Sequence, residues 1–325
     1  MRAVIVNPAS ASGRTAARWR RIVAALEAGD DAVEVFLTNG PGDAIGLTRR
    51  VIEEGTRSLV VLGGDGTMGE VVAGCIKADG SGMVRDDIDL SVIHQGTGGD
   101  LARGLEIPKD EDGAIEVALA GTPRRIDVGV VSFQPLDGVD AHVAPQPDGS
   151  LVRGFVANSN VGMGAEVVEK VEGPFKKLGN NGAFAVATVS CLTRNRPRRV
   201  HLTSREGIDS ALEIVDITVC NNRYMGGGML VAPDAKVDDG LLDVVIIGAA
   251  SRFKLIRTFP KIYSGKHVLD PLVRVERTVE LHVAVPEGEE PQGVVLDGDL
   301  VGRTPATWRV IPGALSVRVP ALTDV

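Results

Sequence analysis

The chain has 325 residues, of which 44% are apolar, 24% charged and only 3% aromatic, and its formal net charge is −8. These values exclude a disordered chain and suit two domains whose cores are built from Val, Ile, Leu and Ala. The negative charge argues against a general nucleic-acid binder.

Taken in order, Ala3–Val6 reads as a buried strand, Thr15–Ala28 as a helix with Arg on its outer side, Val33–Leu37 as a strand and Asp43–Glu54 as a helix. Ser58–Leu62 (strand), Gly69–Lys77 (helix), Leu90–His94 (strand) and Gly113–Ala120 (helix) continue the rhythm. Such βαβα alternation predicts a mostly parallel sheet with helices on its faces. After Ile126 the pattern changes. Val128–Phe133, Leu151–Asn158, Val200–Thr203, Leu212–Cys220, Leu241–Ile247, Val273–Val275, Thr278–Val285 and Gly293–Leu296 all read as strands. Only Gly164–Val171, Gly182–Thr193 and Ser251–Tyr263 read as helices among them, which predicts a second domain of packed sheets. Pro135–Gly149 is rich in Pro, Gly and Asp and reads as a surface loop.

Cys75, Cys191 and Cys220 are dispersed and form no C-x-x-C pair, so a disulfide framework or zinc site is not expected and a reducing cytosol is. No apolar run reaches about 18 residues, so no transmembrane helix is expected. The opening apolar stretch stops at Asn7-Pro8, too short for a signal peptide.

Three small-residue loops follow three strands. Gly63-Gly64-Asp65-Gly66-Thr67 lies directly between a strand and a helix, where successive glycines and a helix N-terminus form an anion nest suited to phosphate. Thr67 is expected to cap that helix and to offer its hydroxyl to a phosphate oxygen. Gln95–Arg103 and Asn7–Arg14 are the other two. Each alone is also what a plain turn looks like; three at successive strand ends predict a ligand crevice at the carboxyl edge of a parallel sheet. Gly64, Gly66 and Gly69 also satisfy G-x-G-x-x-G, but the acidic residue expected about 20 residues on, at the end of the next strand, is missing. There is no Walker A sequence, no H-R-D or D-F-G triplet and no H-E-x-x-H. His94, beside the second loop, reads as a structural or ligand-lining residue.

The charge is uneven. Gly173–Arg205 holds Lys176, Lys177, Arg194, Arg196, Arg198, Arg199 and Arg205 and no acid. Arg252–Leu269 holds Arg252, Lys254, Arg257, Lys261 and Lys266 and again no acid. The same windows carry Phe175, Leu178, Phe184, Phe253, Ile256 and Phe259. Solvated basic faces and a surface facing anionic lipid both fit this pattern, the latter worth about 1 kcal/mol per near-surface cation.

Asn7–Gly13, Gly63–Thr67 and Gly96–Arg103 together resemble the diacylglycerol-kinase-like lipid kinases, which include bacterial diacylglycerol and lipid kinases, sphingosine kinases and ceramide kinases. The resemblance continues in order through Ile126–Gly129, Asn158–Gly164, Asn221–Gly228, Ala232-Pro233, Asp238–Asp243, Asp297-Gly298-Asp299 and Pro312–Val317. It implies an α/β nucleotide domain of the phosphofructokinase and NAD-kinase type over 1–128, rejoined by the tail 312–325, and a β-sandwich lipid-substrate domain over 129–311. ATP would bind between them through Asn7, Ser12, Gly13, Thr38, Gly64, Asp65, Gly66, Thr67, Met68, Gly69, Glu70, Thr97 and Asp100. Asp299, third in its Asp-Gly-Asp turn, would be the general base. Mg²⁺ would take the carboxylate of Asp239, the carbonyls of Lys236 and Leu241, and Asp127 through water, with a second Mg²⁺ carried by ATP near Asp65 and Asp100.

The resemblance further implies a γ-phosphate transfer to a diacylglycerol-like or sphingoid hydroxyl. The chain would be cytoplasmic and peripheral at the inner face of an anionic membrane, and a homodimer is among the assemblies open to it. The family usually reads G-G-D-G-T-x-N-E and G-T-G-N-D, and Asp-Gly-Glu at the base. Here Gly69 and Gly99 replace both asparagines and Asp299 replaces Glu. The competing expectations are a kinase of a soluble hydroxylated metabolite, a non-catalytic nucleotide- or lipid-binding relative, and, more remotely, an NAD-dependent oxidoreductase.

Overall fold

The structure, a computed structural model, describes residues 1–29, 32–96, 98–172, 180–194 and 196–321, with the backbone alone at 172 and 180–185. Thr97, Phe175, Lys176, Lys177, Leu178 and the side chain of Phe184 lie outside the described residues.

The N-terminal half is built as the βαβα rhythm predicts. Strands β1 (Arg2–Val6), β2 (Val33–Leu37), β3 (Ser58–Gly63) and β4 (Asp89–His94) pair in parallel in the order β2-β1-β3-β4. Val4, Ile5, Val60 and Leu62 are buried to within 1% exposure or less, as continuous apolar strands covered on both faces must be. Helices α1 (Thr15–Glu27), α2 (Asp43–Glu53), α3 (Asp65–Cys75), α4 (Asp100–Gly104) and α5 (Glu111–Ala120) cover the sheet. Ile22, Val23 and Leu26 of α1 face inward, while Arg18 and Arg21 reach out to Glu111 and Asp112 of α5. Asp110 caps α5, accepting from the Gly113 N–H at 2.8 Å.

Beyond Ile126 the chain is mainly β. It forms β5 (Thr122–Gln134), β6 (Leu151–Phe155), β7 (Asn158–Gly162), β8 (Arg198–Ser204), β9 (Asp209–Cys220), the short pair β10 (Tyr224–Met225) and β11 (Met229–Leu230), β12 (Leu242–Gly248), β13 (Val273–Thr278), β14 (Glu280–Ala284), β15 (Gly293–Leu296) and β16 (Asp299–Val319). Pairing runs β9–β8–β14–β16–β15–β7 and back to β9, closing on a core that holds Trp308, Phe133 and Phe155. Three of the eleven aromatics are buried there, and the Trp308 indole N–H donates to Ser159 Oγ at 2.9 Å. Helices α6 (Met163–Glu172), α7 (Asn180–Arg194) and α8 (Arg252–Thr258) are inserted among these strands.

The 21-residue β16 joins the halves. It pairs antiparallel with β5 along its length, and Ser316 and Val317 pair in parallel with Asp89 and Leu90 of β4.

Four of the differences from the sequence reading have a local physical reason or shape the junction of the halves. The helix expected to start at Gly69 starts at Asp65. The strand expected over Leu151–Asn158 breaks at Val156 and Ala157, whose N–H groups go to Asp297 instead of a neighbouring strand. The helix expected over Ser251–Tyr263 ends at Thr258 and becomes a 3-10 turn over Phe259–Ser264, where Pro260 lacks the N–H that an α-helix needs. The fourth difference is β16, which crosses Pro305 and two irregularities in its pairing with β5.

The basic windows are partly neutralised by acids that lie outside them in the sequence. Arg198 pairs with Glu166, Arg199 with Glu213, and Lys254 and Lys261 with Asp270.

Candidate active site

The strand order changes direction between β1 and β3, and in such sheets ligands bind at the carboxyl ends flanking that point. The loops after β1, β3 and β4 meet there. Asn7 Nδ2 donates to Thr67 Oγ1 at 2.9 Å, tying the first loop to the start of α3. Thr67 therefore does not cap its helix: Gly64 occupies the cap position, and the Thr67 hydroxyl, holding Asn7, keeps its own proton to donate. Side chains are excluded at two turns by contact. A Cβ on Gly63 would lie 2.6 Å from Thr67 Cβ, and one on Gly98 would lie 2.1 Å from Asp65 Oδ2. Ser12 (φ +58°) and Gly13 (φ +82°) are both left-handed in the 3-10 turn Ser10–Gly13.

Three concavities converge on the N-terminus of α3. A recess of about 520 Å³ is lined by Asn7, Thr38, Gly66, Glu70, Arg153 and Asp299 among others. A groove of about 350 Å³ is lined by Asn7, Ser12, Gly64, Asp65, Gly66, Thr67 and His94. The third, about 340 Å³, is mainly apolar, with Val167, Val245, Ile247, Phe259 and Ile262 in its wall and the carboxylates of Asp65, Asp100 and Asp297 lining it as well. Asp65 and Gly98 line both the groove and the apolar cavity.

The acids are held by backbone N–H groups. Asp65 accepts from Gly99 N (2.8 Å) and Asp100 N (3.0 Å), fixing the loop after β4. Glu70 accepts from Gly42 N (2.8 Å) and Ala44 N (3.1 Å), fixing the loop that carries Thr38. Asp100 accepts from Gly227 N at 2.9 Å, and its carbonyl accepts from Asn222 Nδ2 at 2.6 Å. Burial, and then the nearby Asp65 charge, push the Asp100 carboxyl up to about 7. Asp297 accepts from the N–H groups of Val156, Ala157 and Asn158, and burial pushes it up to about 6. Asp299 lies 3.5 Å from Arg153 Nη2. Burial raises its carboxyl, with the Arg153 charge opposing.

Asp297, Arg153, Asn221 and Asn222 were not singled out by residue-level chemistry, because their partners lie far away in sequence. Arg153 is buried, and its Nε has no partner among the described residues.

Of the predicted nucleotide residues, Asn7, Ser12, Thr38, Gly64, Asp65, Gly66, Thr67 and Glu70 line the recess or the groove. Gly13 lies in the turn beside Ser12, and Asp100 lines the apolar cavity. Met68 is packed in the core of the first half. Gly69 is buried, and a Cβ there would lie 3.0 Å from Asp297 Oδ2. At Gly99 (φ +76°) a Cβ would lie 3.0 Å from His94 Cδ2. Asp297 and His94 thus stand where side chains at positions 69 and 99 would begin.

The predicted metal segment lies elsewhere on the junction. Asp127 Oδ1 and Oδ2 accept from Gly313 N and Gly240 N, each at 2.7 Å. Asp239 Oδ1 accepts from Leu241 N at 3.1 Å. Burial raises the Asp127 carboxyl, and the neighbouring charges of Asp239 and Asp238 raise it further. No group of three His, Cys, Asp or Glu side chains able to hold a metal exists among the described residues. The donor set, one carboxylate with backbone carbonyls and a second carboxylate fixed behind it, fits a hard, oxygen-ligated cation that keeps water. Asn221 Nδ2 connects this segment to the junction of β6 and β7, donating to the carbonyls of Asp127 (2.8 Å) and Val156 (3.2 Å).

The ionisation of Asp100 gives a stability prediction. Its folded value, about 7, lies above the ordinary 3.8, so the ionised carboxylate costs the fold stability, and the cost grows as pH rises from about 4 to about 7. In the absence of ligand, Asp100→Asn is expected to melt higher than the parent chain at pH 8, with the gain shrinking toward pH 4. Thermal melts across pH check this; a gain that is larger in acid would contradict it.

Two family models match the chain: the diacylglycerol kinase catalytic domain over residues 2–131, and the YegS C-terminal NAD kinase beta sandwich-like domain over residues 157–319. A Mycobacterium tuberculosis protein named diacylglycerol kinase is 30% identical, the match covering 97% of this chain and 94% of that protein. A Chromohalobacter salexigens protein named "Probable lipid kinase YegS-like" is 27% identical over 86% of this chain and 81% of that protein. A crystal structure of a diacylglycerol kinase from Bacillus anthracis superposes with a TM-score of 0.69 at 20% identity, covering 98% of this chain and 96% of that one. Yeast NADH kinase with NADH superposes with a TM-score of 0.54 at 12% identity, covering 100% and 84%. The two structural likenesses show the fold.

Proposed function

The chain belongs to the diacylglycerol-kinase family of lipid kinases, and from that premise we propose that it transfers the γ-phosphate of ATP to the hydroxyl of a diacylglycerol-like or sphingoid lipid. The observation that carries this reading is the meeting of a phosphate-sized polar groove and an apolar cavity at one helix N-terminus, with Asp65 and Gly98 in both walls. ATP occupies the recess and groove, its phosphates on the Gly64–Thr67 turn, held by the helix N-terminus and the hydroxyl of Thr67. Thr38, Glu70 and the Ser12-Gly13 turn frame it, with Thr97 assigned by resemblance alone. The acceptor lipid fills the apolar cavity with its hydroxyl turned toward Asp65.

In the reaction the hydroxyl oxygen forms a bond to the γ-phosphorus, the bond from that phosphorus to the β–γ bridging oxygen breaks, and ADP leaves. The hydroxyl proton passes to Asp299, which lies beside Gly66 at the same helix end. Its raised carboxyl value brings it nearer the working pH of a general base. Asp239 with the carbonyls of Lys236 and Leu241, and Asp127 through water, would hold Mg²⁺; Asp65 and Asp100 would stand near a second Mg²⁺ on ATP. Bound with ATP, that ion supplies neutralisation of phosphate charge. The division into residues 1–128 with 312–325 and residues 129–311 is part of the same proposal. ADP release that depends on lipid micelles, followed in a coupled assay, tests this reading against a soluble acceptor; release unaffected by any lipid would refute it.

Membrane contact is the second part of the proposal. No helix among the described residues is long and apolar enough to cross a membrane. Phe253 (88% exposed) and Leu269 (80%) project from α8 and the turn Lys266–Leu269, and the 3-10 turn Phe259–Ser264 between these elements carries Phe259 and Ile262 of the cavity wall. Arg252, Arg257 and Lys266 around them have no ion pair among the described residues. Apolar tips among unpaired cations suit a peripheral enzyme on anionic lipid. Phe253→Ser with Leu269→Ser is expected to weaken binding to phosphatidylglycerol vesicles about tenfold or more. Unchanged sedimentation with vesicles would remove the proposal.

A further inference from the structure

Arg153 stands where the strand pattern calls for an apolar side chain. It lies in the middle of β6, and Leu151 and Phe155, two residues away on either side, share its face and belong to the apolar core of the second half. Arg153 is only 4% exposed. A guanidinium keeps its charge at any working pH, so burying one costs stability unless anions and acceptors meet its five N–H groups. Among the described residues they have one partner: Nη2 lies 3.5 Å from Asp299 Oδ2, and Nε has none. This single loose contact falls short of the close two-point pairing that a guanidinium can make with a carboxylate or a phosphate.

The recess at the start of α3 is where the remaining donors can be used. Arg153 lines it together with Gly66 and Thr67 of the first half. It is the one Lys or Arg among the lining residues, which include the carboxylates of Glu70, Asp140 and Asp299. Glu70 is committed to the N–H groups of Gly42 and Ala44, and Asp140 to His142. Asp299 alone is left to the guanidinium, and Asp299 itself reaches the turn: a Cβ on Gly66 would lie 3.5 Å from both of its oxygens. A phosphate seated at Gly66 therefore comes within reach of the same guanidinium. It brings three oxygens and more charge than a carboxylate, and the fork of a guanidinium suits it.

We propose that Arg153 is a further catalytic residue: its guanidinium, which meets Asp299 in the structure, takes oxygens of the γ-phosphate when ATP lies on the Gly64–Thr67 turn, and so leaves Asp299 free to receive the hydroxyl proton. The inference rests on the lipid-kinase reading and adds to it a group from the second half that ties the nucleotide to the base. Arg153 stays protonated throughout; it neutralises charge on the transferring phosphoryl group and moves no proton. A carboxylate paired with a guanidinium is a weaker base than a free one, so the exchange of partners readies Asp299 only when the phosphate is in place.

The test compares ATP with ADP, in Mg²⁺, by titration calorimetry on the parent chain, Arg153→Met, Asp299→Asn and the double variant. In Arg153→Met the Kd for ATP is expected to rise about tenfold or more, as the loss of a charged hydrogen bond implies, while that for ADP stays within about threefold. kcat for lipid phosphorylation at saturating ATP should also fall about tenfold or more. The same selective loss of ATP affinity is expected in the Asp299→Asn background, where a residue acting only by holding Asp299 would show none. Should Arg153→Met fail to fold, Arg153→Lys, which keeps the charge without the fork, is measured in its place, with ATP weakened about threefold or more and ADP unchanged. An unchanged ATP affinity or kcat, an equal loss on both nucleotides, or a loss that vanishes with Asp299→Asn would overturn the inference and leave the kinase reading in place. A parent chain that binds neither nucleotide would overturn the kinase reading itself, and the inference with it.

Discussion

Asp299→Asn is expected to lower kcat for lipid phosphorylation about 10²- to 10⁴-fold while ATP still binds with a Kd within about threefold of the parent value. The substitution keeps the shape of the side chain and an oxygen for Arg153, 3.5 Å away, and removes only the capacity to take a proton. Because burial lifts the carboxyl above its ordinary value, the acid limb of the parent's pH–rate profile should lie above the usual carboxylate range and vanish in the variant. Asp65→Asn is expected to behave differently. Asp65 accepts from two N–H groups of the loop after β4, so an amide there sets a donor against a donor. It should weaken ATP binding and kcat together. Near-normal turnover by Asp299→Asn, with Asp65→Asn inactive but still binding ATP, would move the base to Asp65, which already lines both the polar groove and the apolar cavity.

Asp297→Ala is expected to cost about 3 kcal/mol or more of stability, one of the largest losses any single polar side chain here should give. Its carboxylate is the acceptor for the N–H groups of Val156, Ala157 and Asn158, where β6 passes into β7. Each buried N–H left without a partner costs about 1–3 kcal/mol. The backbone at 297 is also left-handed (φ +45°), which Asp tolerates better than Ala. Asp297→Asn should lose less. Its oxygen can still serve Ala157 and Asn158, and only the Val156 N–H then faces an amide donor. Urea unfolding of the three proteins checks the order; Asp297→Ala within about 0.5 kcal/mol of the parent would contradict it. Because Ala157 and Asn158 line the apolar cavity, the same variant should also lose turnover. The crowding of Gly69 against Asp297 gives this position a physical reason to lack a side chain.

Much of this molecule was legible in its sequence because its N-terminal half obeys local rules. Continuous Val/Ile/Leu runs alternate with amphipathic stretches, and each glycine loop follows its strand directly. The lipid-kinase pattern then ran collinearly through both halves. What escaped was non-local. β16 crosses Gly302, Pro305 and Gly313 with irregular pairing, so no period-2 pattern survives over its 21 residues. α3 begins inside a glycine run whose residues are poor helix formers and which the first turn nevertheless accommodates. The three N–H donors of Asp297 lie about 140 positions away, and nothing near residue 297 announces them. The acid-free windows lost part of their charge in the same way, since Glu166 meets Arg198 only once α6 and β8 are folded together.

The most direct measurement is transfer of label from γ-labelled ATP, with Mg²⁺, to diacylglycerol, monoacylglycerol, sphingosine and ceramide in mixed micelles, with glycerol as the soluble comparison and Asp299→Asn as control. The account predicts label in at least one lipid, little or none in glycerol, and its loss in the control. Label confined to glycerol, or no label in any acceptor while ATP binds normally, would contradict the claim that the groove and the cavity are the two halves of a lipid phosphoryl-transfer site.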